Sequence, residues 1–141
     1  KLKKIIIKEK KNKLNSLKYW KNFNKKCLSH KKNLFKTISK LKESIAGYGA
    51  SARSSTLINF CKIDNDKIKV IFDKNPLKHN LYTAGSNIKI IKPSKKDIKK
   101  FSNILILAWN FDREIVSYIK KTDFRGKLII VLPKIKVVNV N

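Results

Sequence analysis

The segment Gly47-Tyr48-Gly49-Ala50-Ser51-Ala52 has the spacing G-x-G-x-x-A. Two glycines at that spacing permit a tight turn and a close backbone approach. A small sixth residue lets a helix pack closely on the strand before it. Free N–H groups at the start of such a helix favour a phosphate. Ser51, Arg53, Ser54, Ser55 and Thr56 crowd the same helix start. Their hydroxyls and guanidinium can complete a diphosphate site; equally, Ser51 can be a plain N-cap and Arg53 a solvent-facing side chain. Asp73 ends the next apolar run, 21 residues after Ala52, where an acid can accept hydrogen bonds from ribose hydroxyls. The competing reading is a nucleotide fold that has lost its ligand and keeps the turn for packing.

Two further groups follow apolar runs. Asn75-Pro76-Leu77-Lys78 comes after the second and Ala108-Trp109-Asn110 closes the fourth. Ligands of open α/β sheets bind at such strand ends. Trp109 offers a stacking face and Asn110 a bidentate amide, or they simply cover the core and cap a helix. The catalytic signal is poor. His30 and His79 are the only histidines, and His79 sits in a loop with no carboxylate placed beside it. Cys27 and Cys61 are isolated, and His30 has no second ligand pair with which to complete a tetrahedral metal site. No catalytic residue and no metal site is therefore expected. Two inert thiols suit a reducing, cytoplasmic setting.

The elements that must position these residues follow from periodicity. Lys1 to Lys13 reads as a strand or a frayed tail. From Leu14 to Leu41 the apolar positions recur at helical spacing, predicting one long helix or two broken near Ser29-His30. That helix is expected to pack on the domain that follows or to link to an upstream one. Thereafter strands and helices alternate: strands over 44–49, 68–72, 87–91, 103–109 and 127–132, and helices over 52–63, 94–100 and 111–120. Ser94 with Asp97 three residues on forms a capping box. The link after Asp73 carries Pro76 and Gly85 and reads as a loop. The last two runs are continuously apolar, as in a parallel sheet buried on both faces. This predicts an α/β, Rossmann-like domain over 34–141. Its mainly parallel five-stranded sheet, in the order 3-2-1-4-5, has helices on both faces. An N-terminal tail and linker or packing helix, 1–33, precedes it.

Composition bounds the function. The net charge is +26 over 141 residues, which invites a nucleic-acid reading. Of the 35 basic residues, however, only Arg53, Arg113 and Arg125 are arginine, and the lysines are scattered. Readers of phosphates and bases favour the arginine fork, so a solvated lysine surface is expected instead. No apolar run approaches a membrane span. The chain begins with Lys1 and contains no methionine, as expected of a fragment or processed product.

Four segments in this order resemble a known family: 47–53, 56–61, Asp73 to Lys78, and Ile104 to Asn110. They are similar to the C-terminal domain of the S-adenosylmethionine-dependent sugar C-methyltransferases, which reads approximately GYGA-S-A-K-G-N-T, then D-x-N-P-x-K, then an apolar strand ending A-W-N. The resemblance covers about Leu34 to Pro133. Arg53 stands where lysine is usual and Ser54-Ser55 where Gly-Asn is usual; Asn80 and Ala84 replace a glycine and a proline around the Tyr82 to Gly85 loop.

The resemblance implies a parent transferase with an N-terminal zinc-binding region, a central S-adenosylmethionine domain and this C-terminal domain. Such an enzyme methylates the carbon beside the ketone of a nucleotide-linked deoxysugar, through an enolate that attacks the sulfonium methyl. It implies that this chain contributes nucleotide-sugar binding or architecture, alongside an upstream methyltransferase domain or subunit that holds the cofactor. The candidate binding residues are Gly47, Tyr48, Gly49, Ala50, Ser51, Arg53, Thr56, Asp73, Asn75, Lys78, Trp109 and Asn110. A stand-alone NAD-like nucleotide-binding module is the alternative, ahead of a basic nucleic-acid-binding protein.

Overall fold

A computed structural model describes residues 1–41 and 43–141. They form two compact units, residues 1–32 and 33–141. The first holds helix α1 (Leu2–Lys11) and most of α2 (Leu17–Ser39), whose last turns belong to the second unit. The expected strand or tail at the N-terminus is thus a helix, and it buries no side chain. A lone strand leaves its backbone N–H and C=O groups without ladder partners, whereas a helix satisfies most of them internally.

Helix α2 runs unbroken through Ser29-His30. Trp20 donates its indole N–H to the Leu14 carbonyl at 2.7 Å and meets Tyr19 and Phe23 edge-on. Leu17, Trp20, Phe23, Leu28 and Phe35 are exposed, and within the helix only Leu34 and Ile38 are buried.

The second unit alternates strand and helix. Its elements are β1 (Ile45–Tyr48), α3 (Ala52–Cys61), β2 (Val70–Phe72), β3 (Lys89–Ile91), α4 (Lys95–Ile98), β4 (Asn103–Ile106), α5 (Asp112–Lys120), β5 (Gly126–Ile130) and β6 (Lys136–Val140). The sheet order is β3-β2-β1-β4-β5-β6. The first five strands are parallel and in the expected order; β6 is antiparallel to β5. The five-stranded expectation is therefore corrected to six. β6 is an edge strand in which half-buried Val138 and Val140 alternate with exposed Val137 and Asn139, the period of a sheet with one covered face.

Side chains of β1 alternate between two cores. Ile45 joins Leu34, Ile38, Leu57, Ile58, Leu105 and Ile129 on the face covered by α3 and the end of α2. Ala46 and Tyr48 join Ile98, Ile104, Ile115, Ile119 and Leu128 on the face covered by α4 and α5. The link from β2 to β3 holds only a short 3-10 turn, Pro76–Lys78, with the Asn75 side chain accepting from the Leu77 N–H at 3.0 Å. Ser94 caps α4, its Oγ accepting from the Asp97 N–H at 3.0 Å; the Asp97 carboxylate meets the Ser94 hydroxyl at 2.6 Å rather than the backbone N–H that a capping box would engage.

Two of the element ends that differ from expectation have a local cause. β4 stops at Ile106, because the N–H groups of Leu107 and Ala108 both turn to the Tyr48 carbonyl, and Trp109–Phe111 form a 3-10 turn. α3 ends at Cys61, since Lys62 adopts a left-handed conformation.

Candidate functional site

The strand order reverses between β1 and β4, so the loops leaving their C-terminal ends part and open a crevice there. The glycine turn enters this crevice. Gly49 has φ +99°, a conformation that favours glycine. A Cβ at Gly49 would lie 2.4 Å from the Ala108 Cβ, and one at Gly47 would lie 2.6 Å from Leu107 Cδ1. Gly49 is thus required by the approach of Ala108, whereas a side chain at Gly47 would have to displace the end of the Leu107 side chain.

The polar groups of the turn are largely used within the chain. Ser51 and Ser54 cap α3 reciprocally: the Ser54 N–H donates to Ser51 Oγ at 3.2 Å, and the Ser51 N–H to Ser54 Oγ at 2.6 Å. The Ala50 N–H donates to Asp73 Oδ2 at 2.7 Å. Lys78 Nζ bridges the Ala50 carbonyl, at 2.6 Å, and Asp73 Oδ2, at 3.3 Å. The Asn75 N–H donates to Asp73 Oδ1 at 2.8 Å. Asp73 is 9% exposed, and these contacts explain how a carboxylate is kept there. His79 donates from Nε2 to the Asp73 carbonyl at 2.8 Å, which ties the loop to the strand end.

Beside the turn lies a cleft of about 380 Å³. Tyr48, Gly49, Ser51, Asp73, Asn75 and Lys78 line it, together with Lys74, Ala108, Phe111, Glu114 and Ile115. A smaller recess of about 50 Å³ adjoins it, lined by Ser51, Arg53, Leu107, Ala108, Trp109, Asn110 and Phe111. The geometry therefore divides the expected residues. Tyr48, Gly49, Ser51, Asp73, Asn75 and Lys78 meet at the cleft; Arg53, Trp109 and Asn110 meet at the recess. Gly47 and Ala50 are buried beneath the turn. Thr56 stands apart, its hydroxyl donating back to the Ala52 carbonyl at 3.0 Å.

Sequence reasoning missed Lys74, Phe111, Glu114 and Ile115. Lys74 and Glu114 form an exposed ion pair at 2.9 Å, bridging the end of β2 to the first turn of α5. The rule that ligands meet the C-terminal ends of strands could have drawn in Phe111 and Glu114, which follow β4 directly.

Tyr48 is, beside Asp73, a buried polar residue of the cleft. It is 3% exposed, its ring tilts against Phe72 and meets Tyr118 edge-on, and its hydroxyl has no hydrogen-bond partner among the described residues. Burial, then the nearby Tyr118, Asp73 and Glu114, hold the phenol well above its ordinary pKa, so it remains a donor. Among the described residues no group of three His, Cys, Asp or Glu side chains comes together as a metal site, and no helix is long and apolar enough to cross a membrane.

Comparison with known proteins gives this arrangement a family. The C-methyltransferase NovU of Streptomyces niveus is 30% identical over 98 residues, which is 69% of this chain and 23% of that protein. The chain thus spans about a quarter of the length of the curated relative it matches. A family model described as the C-methyltransferase C-terminal domain matches residues 1–133. With nearly its whole length matched, the chain belongs to the C-methyltransferase C-terminal domain family.

Proposed function

We propose that this chain is the C-terminal part of an S-adenosylmethionine-dependent enzyme that methylates a nucleotide-linked deoxysugar. Within it, the Rossmann-like unit 33–141 helps to bind the sugar nucleotide and does not itself transfer the methyl group. The observation that carries this reading is the cleft at the β1–β4 reversal, whose volume of about 380 Å³ falls in the range of small-ligand sites. Its two carboxylates are already engaged, Asp73 by Ala50, Asn75 and Lys78 and Glu114 by Lys74, which speaks against either serving as the base that takes a carbon-bound proton.

S-adenosylmethionine does not fit the glycine turn. The Ala50 N–H is taken by Asp73, the Asp73 oxygens are engaged by Ala50, Lys78 and Asn75, and the Ala108 side chain fills the space at Gly49. The same contacts weigh against an NAD-like dinucleotide with its ribose on Asp73. Cofactor binding is accordingly assigned to an upstream methyltransferase domain or subunit, in keeping with the 23% of the relative that this chain spans. A cytoplasmic setting suits such a substrate.

Titration calorimetry of the chain tests the reading. Heat of binding is expected with a thymidine diphosphate deoxysugar, and none with NAD or S-adenosylmethionine. Saturable binding of NAD, with silence toward the sugar nucleotide, would replace this proposal with a dinucleotide-binding module.

A further inference from the structure

We infer that the buried hydroxyl of Tyr48 donates a hydrogen bond to a neutral oxygen on a ring of the bound sugar nucleotide, so that the cleft takes a ring and the diphosphate lies outside it. The inference rests on the sugar-nucleotide reading above and deepens it.

Three observations carry it. The first is the unpaired hydroxyl. Tyr48 is 3% exposed and its oxygen meets no partner among the described residues, whereas its neighbour Tyr118 donates to the Pro93 carbonyl at 3.4 Å. Burying a hydroxyl without a partner is costly. Phenylalanine would fill the same space without that cost, so the oxygen is explained by a ligand that meets it.

The second is charge. The cleft's two cations are both occupied, Lys74 by Glu114 at 2.9 Å and Lys78 by Asp73 at 3.3 Å. A diphosphate placed there would face two carboxylates with no unpaired cation to offset them, whereas an uncharged ring has no such penalty. Of the other walls, Phe111, Ile115 and Ala108 are apolar and Ser51 and Asn75 are uncharged polar, as suits a sugar or a pyrimidine.

The third is what lies next door. Arg53 borders the adjoining recess with Ser51, Trp109 and Asn110, and no ion pair engages it among the described residues. A guanidinium there can meet a diphosphate leaving the cleft.

The test is calorimetry of the full chain and its Tyr48→Phe variant, with thymidine diphosphate and with a thymidine diphosphate deoxysugar, alongside thermal melts. Y48F is expected to bind about tenfold more weakly, the loss of one ligand hydrogen bond, with a melting temperature equal to or above that of the unmodified chain. Weakening toward both ligands assigns the hydroxyl to the base; weakening toward the sugar nucleotide alone assigns it to the sugar. Undiminished affinity, or a lowered melting temperature, overturns the inference and leaves the proposed function standing. Failure of the unmodified chain to bind either nucleotide overturns the proposed function and this inference with it.

Discussion

Asp73 Oδ2 accepts the backbone N–H of Ala50 at 2.7 Å, across 23 residues of sequence. One carboxylate at the end of β2 thereby holds the turn that leaves β1. It also takes Lys78 Nζ at 3.3 Å and, through its other oxygen, the Asn75 N–H at 2.8 Å. The acid that a nucleotide-binding pattern would point at ribose here organises the floor of the site.

Asp73→Ala leaves the Ala50 and Asn75 N–H groups without their acceptor, and Lys78 with the Ala50 carbonyl alone. We expect a loss of about 2–4 kcal/mol in unfolding free energy, because removing one partner exposes the full desolvation cost of the others. Asp73→Asn keeps one amide oxygen as acceptor and should lose about 1–2 kcal/mol. Urea unfolding of the two variants checks both the size and the order.

Gly49→Ala combines two penalties. A backbone at φ +99° is unfavourable for an L side chain, and the new Cβ would lie 2.4 Å from the Ala108 Cβ. Left-handed strain of about 1–2 kcal/mol and overpacking of about 1–3 kcal/mol together predict a loss of about 2–5 kcal/mol by the same measurement. A loss well under 1 kcal/mol would mean that β4 can withdraw from the turn.

Tyr48 predicts an alkaline signature. Its folded pKa is raised above the ordinary 10.0 by burial first, then by Tyr118, Asp73 and Glu114. The unfolded chain therefore releases this proton at a lower pH than the folded one. The contribution is fully present below pH 10.0 and is lost progressively as pH rises above it toward the folded pKa. Lysine deprotonation overlaps this range, so the informative quantity is the difference from Tyr48→Phe. Urea midpoints between about pH 8 and about pH 11 should fall more steeply for the unmodified chain than for the variant. Parallel slopes would place the hydroxyl in contact with solvent.

Much of the architecture was legible in the chain because it rests on local pattern. The continuous apolar runs around Ile104 and Leu128 mark strands buried on both faces, and all five parallel strands fall in the order their right-handed connections require. The Ser94–Asp97 cap was equally readable, since its partners are three residues apart. The N-terminal helix and β6 were not. Leu2–Lys11 carries a short apolar triplet among lysines that suits either helix or strand. β6 is an edge strand whose half-exposed valines give a weaker signal than a buried run.

Type and spacing along the chain alone determined where the glycine turn stands, that Asp73 ends the neighbouring strand, and to which family these motifs belong. Only the tertiary structure decided what those groups touch. Lys74 meets Glu114 across 40 residues, Lys78 reaches back 28 residues to Ala50, and Ala108 fills the space that Gly49 leaves. The reason is physical. Backbone conformation and apolar periodicity are properties of neighbours in sequence, whereas pairing a charge, or leaving the Tyr48 hydroxyl unpaired, depends on which distant segments the assembled sheet brings together.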